Sequence, residues 1–235
     1  MKSITPPSEH RIEKEVLVCD PKKADQTPKI VEADLIAKAS YELHQGFELL
    51  KKYKLSATFY GSARHNMGGN FYEDAQQFAE RLSKSGFAII TGGADGIMGA
   101  ANKGAFEAGG PSIGLNIELA SEQHSNQFVT EYLEFDHFFT RKFIMAYASE
   151  LYVFFPGGFG TLDELFEVLT LIQTKKIKRV PVLLFGKEYW APLIEFIEKR
   201  LCATYKAIDK EDTTIFTLVD TVEEAYEAAI NQVNC

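Results

Sequence analysis

Residues 151–168, Leu151-Tyr-Val-Phe-Phe-Pro-Gly-Gly-Phe-Gly-Thr-Leu-Asp-Glu-Leu-Phe-Glu-Val168, decide how this chain folds. An unbroken apolar and aromatic run reads as a buried strand, Pro156 ends it, three glycines free the backbone, and an amphipathic helix is expected from Thr161. A strand, a Gly-rich turn and a helix N-terminus in this order make an anion site. The first N–H groups of a helix lack intrahelical partners and lie at the positive end of its dipole. Gly157, Gly158 and Gly160 keep side chains away from those groups, Phe159 adds its N–H between them, and Thr161 brings a hydroxyl donor. Glu164 then reads in two ways: as an acid beside a bound phosphate, or as the return half of a capping box, Thr161-Leu-Asp-Glu164. These residues by themselves fit both equally.

Outward from this stretch the pattern repeats. Apolar runs at Leu55–Tyr60, Phe87–Thr91, Ser112–Asn116, Glu150–Phe155 and Val180–Phe185 read as strands, with a weaker one near Thr214–Leu218. Helical spacing falls between them, at Phe71–Ser83, Gly96–Ala108, Thr140–Ala148, Leu162–Thr174, Tyr189–Leu201 and Val222–Asn231. Such alternation specifies an α/β fold, a Rossmann-like, doubly wound and mostly parallel sheet with helices on both faces. Val31–Tyr53 reads as an amphipathic helix leading into it, through Leu35, Ile36, Ala39, Leu43, Phe47 and Leu50. Residues 1–30 mix Pro, Lys, Glu and Asp without periodicity and are expected to be a partly disordered N-terminal arm, leaving 31–235 as a single domain.

Ligands of doubly wound sheets bind at the carboxyl ends of the strands, where the strand order reverses. Three small-residue turns are expected on that rim: Gly61-Ser62-Ala63, Thr91-Gly92-Gly93-Ala94-Asp95-Gly96 and Pro156 to Thr161. One such turn is ordinary turn chemistry, but three in corresponding places outline a pocket. Within Gly93-x-x-Gly96-x-x-Gly99, the last two glycines read as close helix packing rather than ligand contact. Asp95 reads as a helix cap.

Composition narrows the functional classes. The chain has 235 residues, 46% of them apolar, with 18 Phe and 10 Tyr, enough for a sizeable core. A formal charge of −8 disfavours sequence-independent binding of nucleic acid, so any anion site must be local. No run approaches the length of a membrane span, and Met1-Lys-Ser-Ile-Thr-Pro-Pro lacks the apolar core of a signal peptide. Cys19, Cys202 and Cys235 show no paired spacing and read as reduced thiols. A cytoplasmic protein without a structural zinc site is expected.

The fingerprint G-x-G-x-x-G is missing after the first strand, which argues against a nicotinamide dinucleotide. Thr140-Arg141-Lys142 on an acidic chain reads as a solvated face or as a phosphate clamp, for which the planar guanidinium of Arg is the better group. None of the five His has ligand spacing or lies beside a serine elbow, and no chemistry is assigned to them. Asp163 and Glu164 are consecutive on a helix and point about 100° apart, so only one can face the pocket. Asp163 is assigned to charge support of the helix N-terminus.

Taken in order, Thr91-Gly-Gly-Ala-Asp-Gly-Ile-Met-Gly99, Phe139-Thr-Arg-Lys142 and Pro156-Gly-Gly-Phe-Gly-Thr-Leu-Asp-Glu164 resemble the motifs of the LOG (Lonely-guy) family, long mislabelled as lysine decarboxylases. Ser112-Ile-Gly-Leu-Asn-Ile-Glu118 and Leu169-Thr-Leu-Ile-Gln-Thr174 resemble its longer bacterial branch, and the resemblance covers roughly residues 45–200. It implies a Rossmann-like domain in a homodimer or larger assembly that hydrolyses the N-glycosidic bond of nucleoside 5′-monophosphates, such as AMP or a cytokinin riboside monophosphate. It also implies catalytic roles for Arg141 and Glu164, and a substrate contact for Glu122. Ala94-Asp95 departs from the Gly-Pro usual in that branch. The decarboxylase label fails on chemistry, because pyridoxal phosphate needs a Schiff-base lysine with partners, and no lysine here has that setting.

The expected arrangement puts the 5′-phosphate on the N–H groups of Gly157 to Thr161 and the base toward Gly61, Ser62, Thr91, Gly92 and Gly93. The ribose C1′ then faces Glu164, with Arg141 and Lys142 toward phosphate or ribose. No metal or organic cofactor, nucleic acid or membrane enters this scheme. The rival readings are a non-catalytic nucleotide carrier or sensor on the same fold, an NAD-linked oxidoreductase and an interaction module.

Overall fold

A computed structural model describes residues 32–64, 70–118 and 125–233. Two compact units divide the chain, residues 1–37 and 38–235. In the first, only the opening turns of α1 (Glu32–Leu50) lie among the described residues. Glu122, His10, His65, His124, Cys19 and Cys235 fall outside them.

The second unit is built on seven strands: β1 (Ser56–Tyr60), β2 (Ala88–Thr91), β3 (Ser112–Ile117), β4 (Glu131–Phe135), β5 (Leu151–Phe154), β6 (Val182–Phe185) and β7 (Phe216–Val219). Their order is β4-β3-β2-β1-β5-β6-β7, and every pairing is parallel, where sequence patterning had implied a mostly parallel sheet. Parallel strands covered on both faces need no alternation, and β1, β2, β3, β5 and β6 are buried at every position. The order reverses between β1 and β5, which are hydrogen-bonded neighbours from Ala57·Leu151 to Tyr60·Phe154. That is the crevice where such sheets bind ligands.

Helices α2 (Phe71–Lys84), α3 (Gly96–Glu107), α4 (Phe138–Ala146), α5 (Phe159–Gln173), α6 (Lys187–Phe196) and α7 (Val222–Gln232) complete the two layers. Successive strand residues face opposite cores. Tyr60, Ile90, Leu115 and Phe154 pack with Leu49, Ile144, Leu165, Val168 and Trp190, from α1, α4, α5 and α6. Phe59, Ile89, Val153 and Phe185 pack with Phe78, Leu82, Ile97, Ala101 and Ala225, from α2, α3 and α7. At 20–33 cal/mol per Å² of apolar area, each fully buried Phe or Ile contributes on the order of 2 kcal/mol, so both layers are strongly held. Stacked rings join adjacent strands on each face, Tyr60 on Phe154 and Phe155 on Phe185, with centroids 4.5 Å apart in both pairs.

Three expectations change. β4 was not foreseen, because Glu131-Tyr-Leu-Glu-Phe135 is a half-exposed edge strand without a continuous apolar run. The helix expected over Tyr189–Leu201 begins at Lys187 and ends as α-helix at Phe196, continuing as a π-helical stretch over Ile197–Thr204 with Pro192 inside the α-helical part. Proline removes one i→i−4 hydrogen bond there, a local reason for irregular continuation. The helix expected from Thr161 begins two residues earlier, at Phe159.

Candidate active site

The turns after β1, β2 and β5 converge. With the start of α4 they line a cleft of about 340 Å³ whose walls include Gly61, Ser62, Gly92, Arg141, Gly158, Gly160, Thr161 and Glu164. A roomier hollow of about 510 Å³, between the C-terminal end of α5 and the segment 211–215, is lined by a mixture of isoleucines, basic residues and acids and lies away from the switch point. The smaller cleft holds the convergent polar groups and takes precedence on chemistry.

The α5 N-terminus opens into the cleft from its N-cap, Gly158. A Cβ placed on Gly158 or Gly160 would have no heavy atom within 4 Å, so the space beside these two N–H groups is open. Gly157 differs, since a Cβ there would lie 2.1 Å from Thr161 Oγ1. It is the seat of a buried threonine, and its carbonyl accepts from the Tyr189 hydroxyl at 2.7 Å. Phe159 has its side chain 94% exposed and offers the cleft at most its N–H.

Glu164 lies on the next turn of α5 and faces the same space. Because α5 starts at Phe159, Thr161 is the third helical residue and cannot be the cap of a Thr161–Glu164 box; Gly158 caps without a side-chain hydrogen bond. The capping-box reading therefore fails. Burial pushes the Glu164 carboxyl up to about 7, with the guanidinium of Arg141 and, more weakly, Lys142 pulling it back down.

Arg141 is no solvated cation. It is 9% exposed, and its Nε donates to the Leu115 carbonyl at 2.6 Å at the carboxyl end of β3. A Cβ on Gly92 would come within 2.2 Å of its guanidinium, so that glycine is what lets the arginine lie across the second turn. Lys142, one residue on, turns away from the cleft and bridges α4 to α5 by ion pairs with Asp163 at 2.7 Å and Glu167 at 3.3 Å. Asp163 is thus chiefly the partner of Lys142, a correction to its reading as a helix-terminus charge.

The remaining expected contacts stand behind the cleft wall. Thr91 is fully buried; its hydroxyl donates to Asn102 at 2.6 Å and accepts from the Gly93 N–H at 2.9 Å. Gly93 has φ +77, and a Cβ there would overlap Asn116 Oδ1. Asn126 adds a brace, its amide donating to the carbonyls of Gly93 and Ala94 at 3.1 Å each. These residues fix the shape of the turn that presents Gly92 and Ala94. Gly96, with φ +64, lets α3 begin against the first turn, where the Ile97 N–H donates to the Ser62 carbonyl at 2.9 Å. Gly99 has only ordinary contacts; close packing belongs instead to Gly104, whose Cβ would lie 2.1 Å from the Gln76 carbonyl of α2. Asp95 occupies the N-cap position of α3.

Ala63 and Ala94, from the turns expected on the rim, complete the walls together with Arg64, Met98, Ile117 and Phe138, which were not singled out by sequence. Phe138 stands three residues before Arg141, on the same helix face, and that spacing is the one pointer to it in the sequence. Among the described residues no group of three His, Cys, Asp or Glu could hold a metal ion, and no helix is long and apolar enough to cross a membrane.

Gly160 provides a test of the anion site that leaves the fold intact. Alanine at the second position of α5 favours the helix by up to about 1 kcal/mol. Its methyl would project into open space beside the N–H groups. Gly160→Ala is expected to melt no lower than the parent while binding a nucleoside monophosphate at least about tenfold more weakly, the equivalent of one hydrogen bond to a charged group. A thermal melt checks the first half and a calorimetric titration the second.

Comparison with known proteins agrees with this geometry. The family model described as "Possible lysine decarboxylase" matches residues 98–229. The cytokinin riboside 5′-monophosphate phosphoribohydrolase of Rhodococcoides fascians is 30% identical over 146 residues, 61% of this chain and 74% of that protein. One of the same name from Arabidopsis thaliana is 33% identical over 156 residues, 65% of this chain and 72% of its own length. Among solved structures, the molybdenum cofactor carrier protein of Chlamydomonas reinhardtii superposes with a TM-score of 0.58 at 23% identity, covering 76% of this chain and 98% of that one. At that identity the likeness shows a common fold.

Proposed function

This chain belongs to the LOG family, whose model carries the description possible lysine decarboxylase, and from that membership we propose that it hydrolyses the N-glycosidic bond of a nucleoside 5′-monophosphate to free base and ribose 5-phosphate. The observation that carries the proposal is one cleft holding both an unobstructed helix N-terminus and a carboxyl poised near 7. A phosphate dianion on the N–H groups of Gly158 to Thr161 places the sugar along α5 toward Glu164. The apolar groups Met98, Ile117 and Phe138 suit a planar base at the other end.

In the reaction the C1′–N bond breaks, its electron pair leaves with the base, which takes up a proton, and positive charge develops on the ribose ring. The ionised Glu164 stabilises that charge and accepts a proton from the attacking water, whose oxygen bonds to C1′. Arg141 holds phosphate or ribose hydroxyls and keeps the Glu164 pKa from rising further. Lys142 acts at a distance, by fixing α5 against α4.

The same proposal includes assembly as a homodimer or larger oligomer, supported by the exposed aromatic rings of Phe139, Phe143 and Tyr147 on and beside α4. AMP and cytokinin riboside monophosphates are the substrates to try first, given the names of the relatives. Incubation with a panel of nucleoside 5′-monophosphates, with chromatographic detection of base, is expected to show turnover of at least one adenine nucleotide. Stoichiometric binding of AMP without base release would instead identify a carrier.

A further inference from the structure

Outside the cleft, Glu42 is a carboxylate buried to 6% exposure on α1. Its hydrogen-bond partners all belong to the turn that opens α4. It accepts from the Asp136 N–H at 2.8 Å and from the Thr140 hydroxyl, and His137 Nδ1 lies 3.1 and 3.2 Å from its two oxygens. A carboxylate only accepts, so the ring nitrogen facing it carries the proton. α4 makes no side-chain cap of its own at His137. Glu42 therefore ties down the turn that leads into α4 from a different helix and sets a carboxylate beside the positive end of its dipole.

The contact continues along both helices. Lys38 pairs with Asp136 at 3.7 Å, a Cβ on Gly46 would meet Ile144 Cγ1 at 2.5 Å, and Phe47 meets Phe143 edge-on with centroids 6.2 Å apart. α1 is thus a splint along α4. The Arg141 N–H donates to the His137 carbonyl at 3.2 Å, so the residue Glu42 grips is one turn before Arg141 and directly bonded to it.

We propose that Glu42 is a positioning residue that acts through Arg141: by clamping Asp136, His137 and Thr140 it fixes the rotation of α4 that holds the guanidinium over Gly92 and toward Glu164. The proposal rests on the reading of Arg141 as a substrate-holding group. It assigns to α1, a helix outside the strand–helix alternation, a share in the site.

Glu42→Gln is the sharpest variant, since it keeps the shape but turns an amide NH2 toward a set of donors. Compared in a cycle with Arg141→Met, Glu42→Gln is expected to lower kcat/KM for AMP about tenfold when Arg141 is present and less than about twofold when it is absent. An equal loss in both backgrounds means a merely structural role and overturns the proposal. A second, ligand-free readout is the hydrogen exchange of the Arg141 Nε–H, followed by ¹⁵N NMR, which Glu42→Gln is expected to accelerate about tenfold, the exchange reporting local opening. Should the parent release no base from AMP, the proposed function fails, and this exchange still decides the role of Glu42; an unchanged rate rejects it. Thr140→Val, which removes one partner only, is expected to give the same pattern at smaller amplitude if Glu42→Gln folds poorly.

Discussion

Glu164→Gln is expected to cut base release about 10³-fold, within the range of a lost general base, while the protein becomes more stable at pH 8. The second half follows by linkage from the raised pKa of Glu164. The folded-state pKa of about 7 lies above the ordinary carboxylate value of 4.5. Between those values the folded protein keeps a proton that the unfolded chain has released, so stability falls as pH rises toward 7 and stays lower above it. Gln never carries the charge and escapes the loss. At 1.36 kcal/mol per pKa unit, discounted for partial exposure, the gain at pH 8 is about 1–3 kcal/mol, or roughly 2–6 °C in Tm for a chain of this size, and it vanishes near pH 4.5. Melting curves at the two pH values, beside an activity assay, check this. A Gln variant that loses stability at pH 8 would return Glu164 to a structural role.

Arg141→Met is expected to lower kcat/KM by about 10²–10³-fold, as for removal of one preorganised donor, and to move the pH–rate profile as well. With Glu164 acting as the ionised base, kcat/KM of the parent rises with pH to a plateau through a midpoint near 7. Arg141 depresses that pKa, so its removal shifts the midpoint upward and leaves less carboxylate at neutral pH. Raising the pH should thus restore part of the lost activity in Arg141→Met, and a midpoint that stays in place would mean that Arg141 and Glu164 do not interact.

The sheet was legible because burial on both faces leaves a simple mark: Ala88–Thr91 and Leu151–Phe154 are runs without an interior charge. β4 has no such mark. Tyr132 is 64% exposed, and what makes the segment a strand is its pairing with β3, a contact that local pattern does not encode. The start of α5 was misplaced for a related reason, since Phe159 and Gly160 are poor helix formers and tertiary packing overrides propensity there.

In the site, the motif residues Arg141, Gly158, Gly160 and Glu164 do converge. The geometry that separates Asp163 from Glu164 applies equally to Arg141 and Lys142, neighbours on a helix about 100° apart. Used there, it would have excluded one of the two cations. Thr91 and Gly93 read as rim residues because they adjoin Gly92, yet the turn buries them as its frame. Glu42 had no sequence mark at all, since a glutamate in an amphipathic helix looks like any solvated charge until α4 lies against it.

In the proposed reading the α5 N-terminus holds the phosphate, which makes the phosphate, rather than the base, the chief handle on the substrate. Several hydrogen bonds to a dianion, each about 1.5–3 kcal/mol, are lost when the phosphate is absent. The ratio of kcat/KM for AMP over adenosine, read as free adenine released, is the most direct measurement. A ratio of at least about 100, at 1.4 kcal/mol per tenfold, is the predicted result, and equal rates on the two substrates would contradict the assignment.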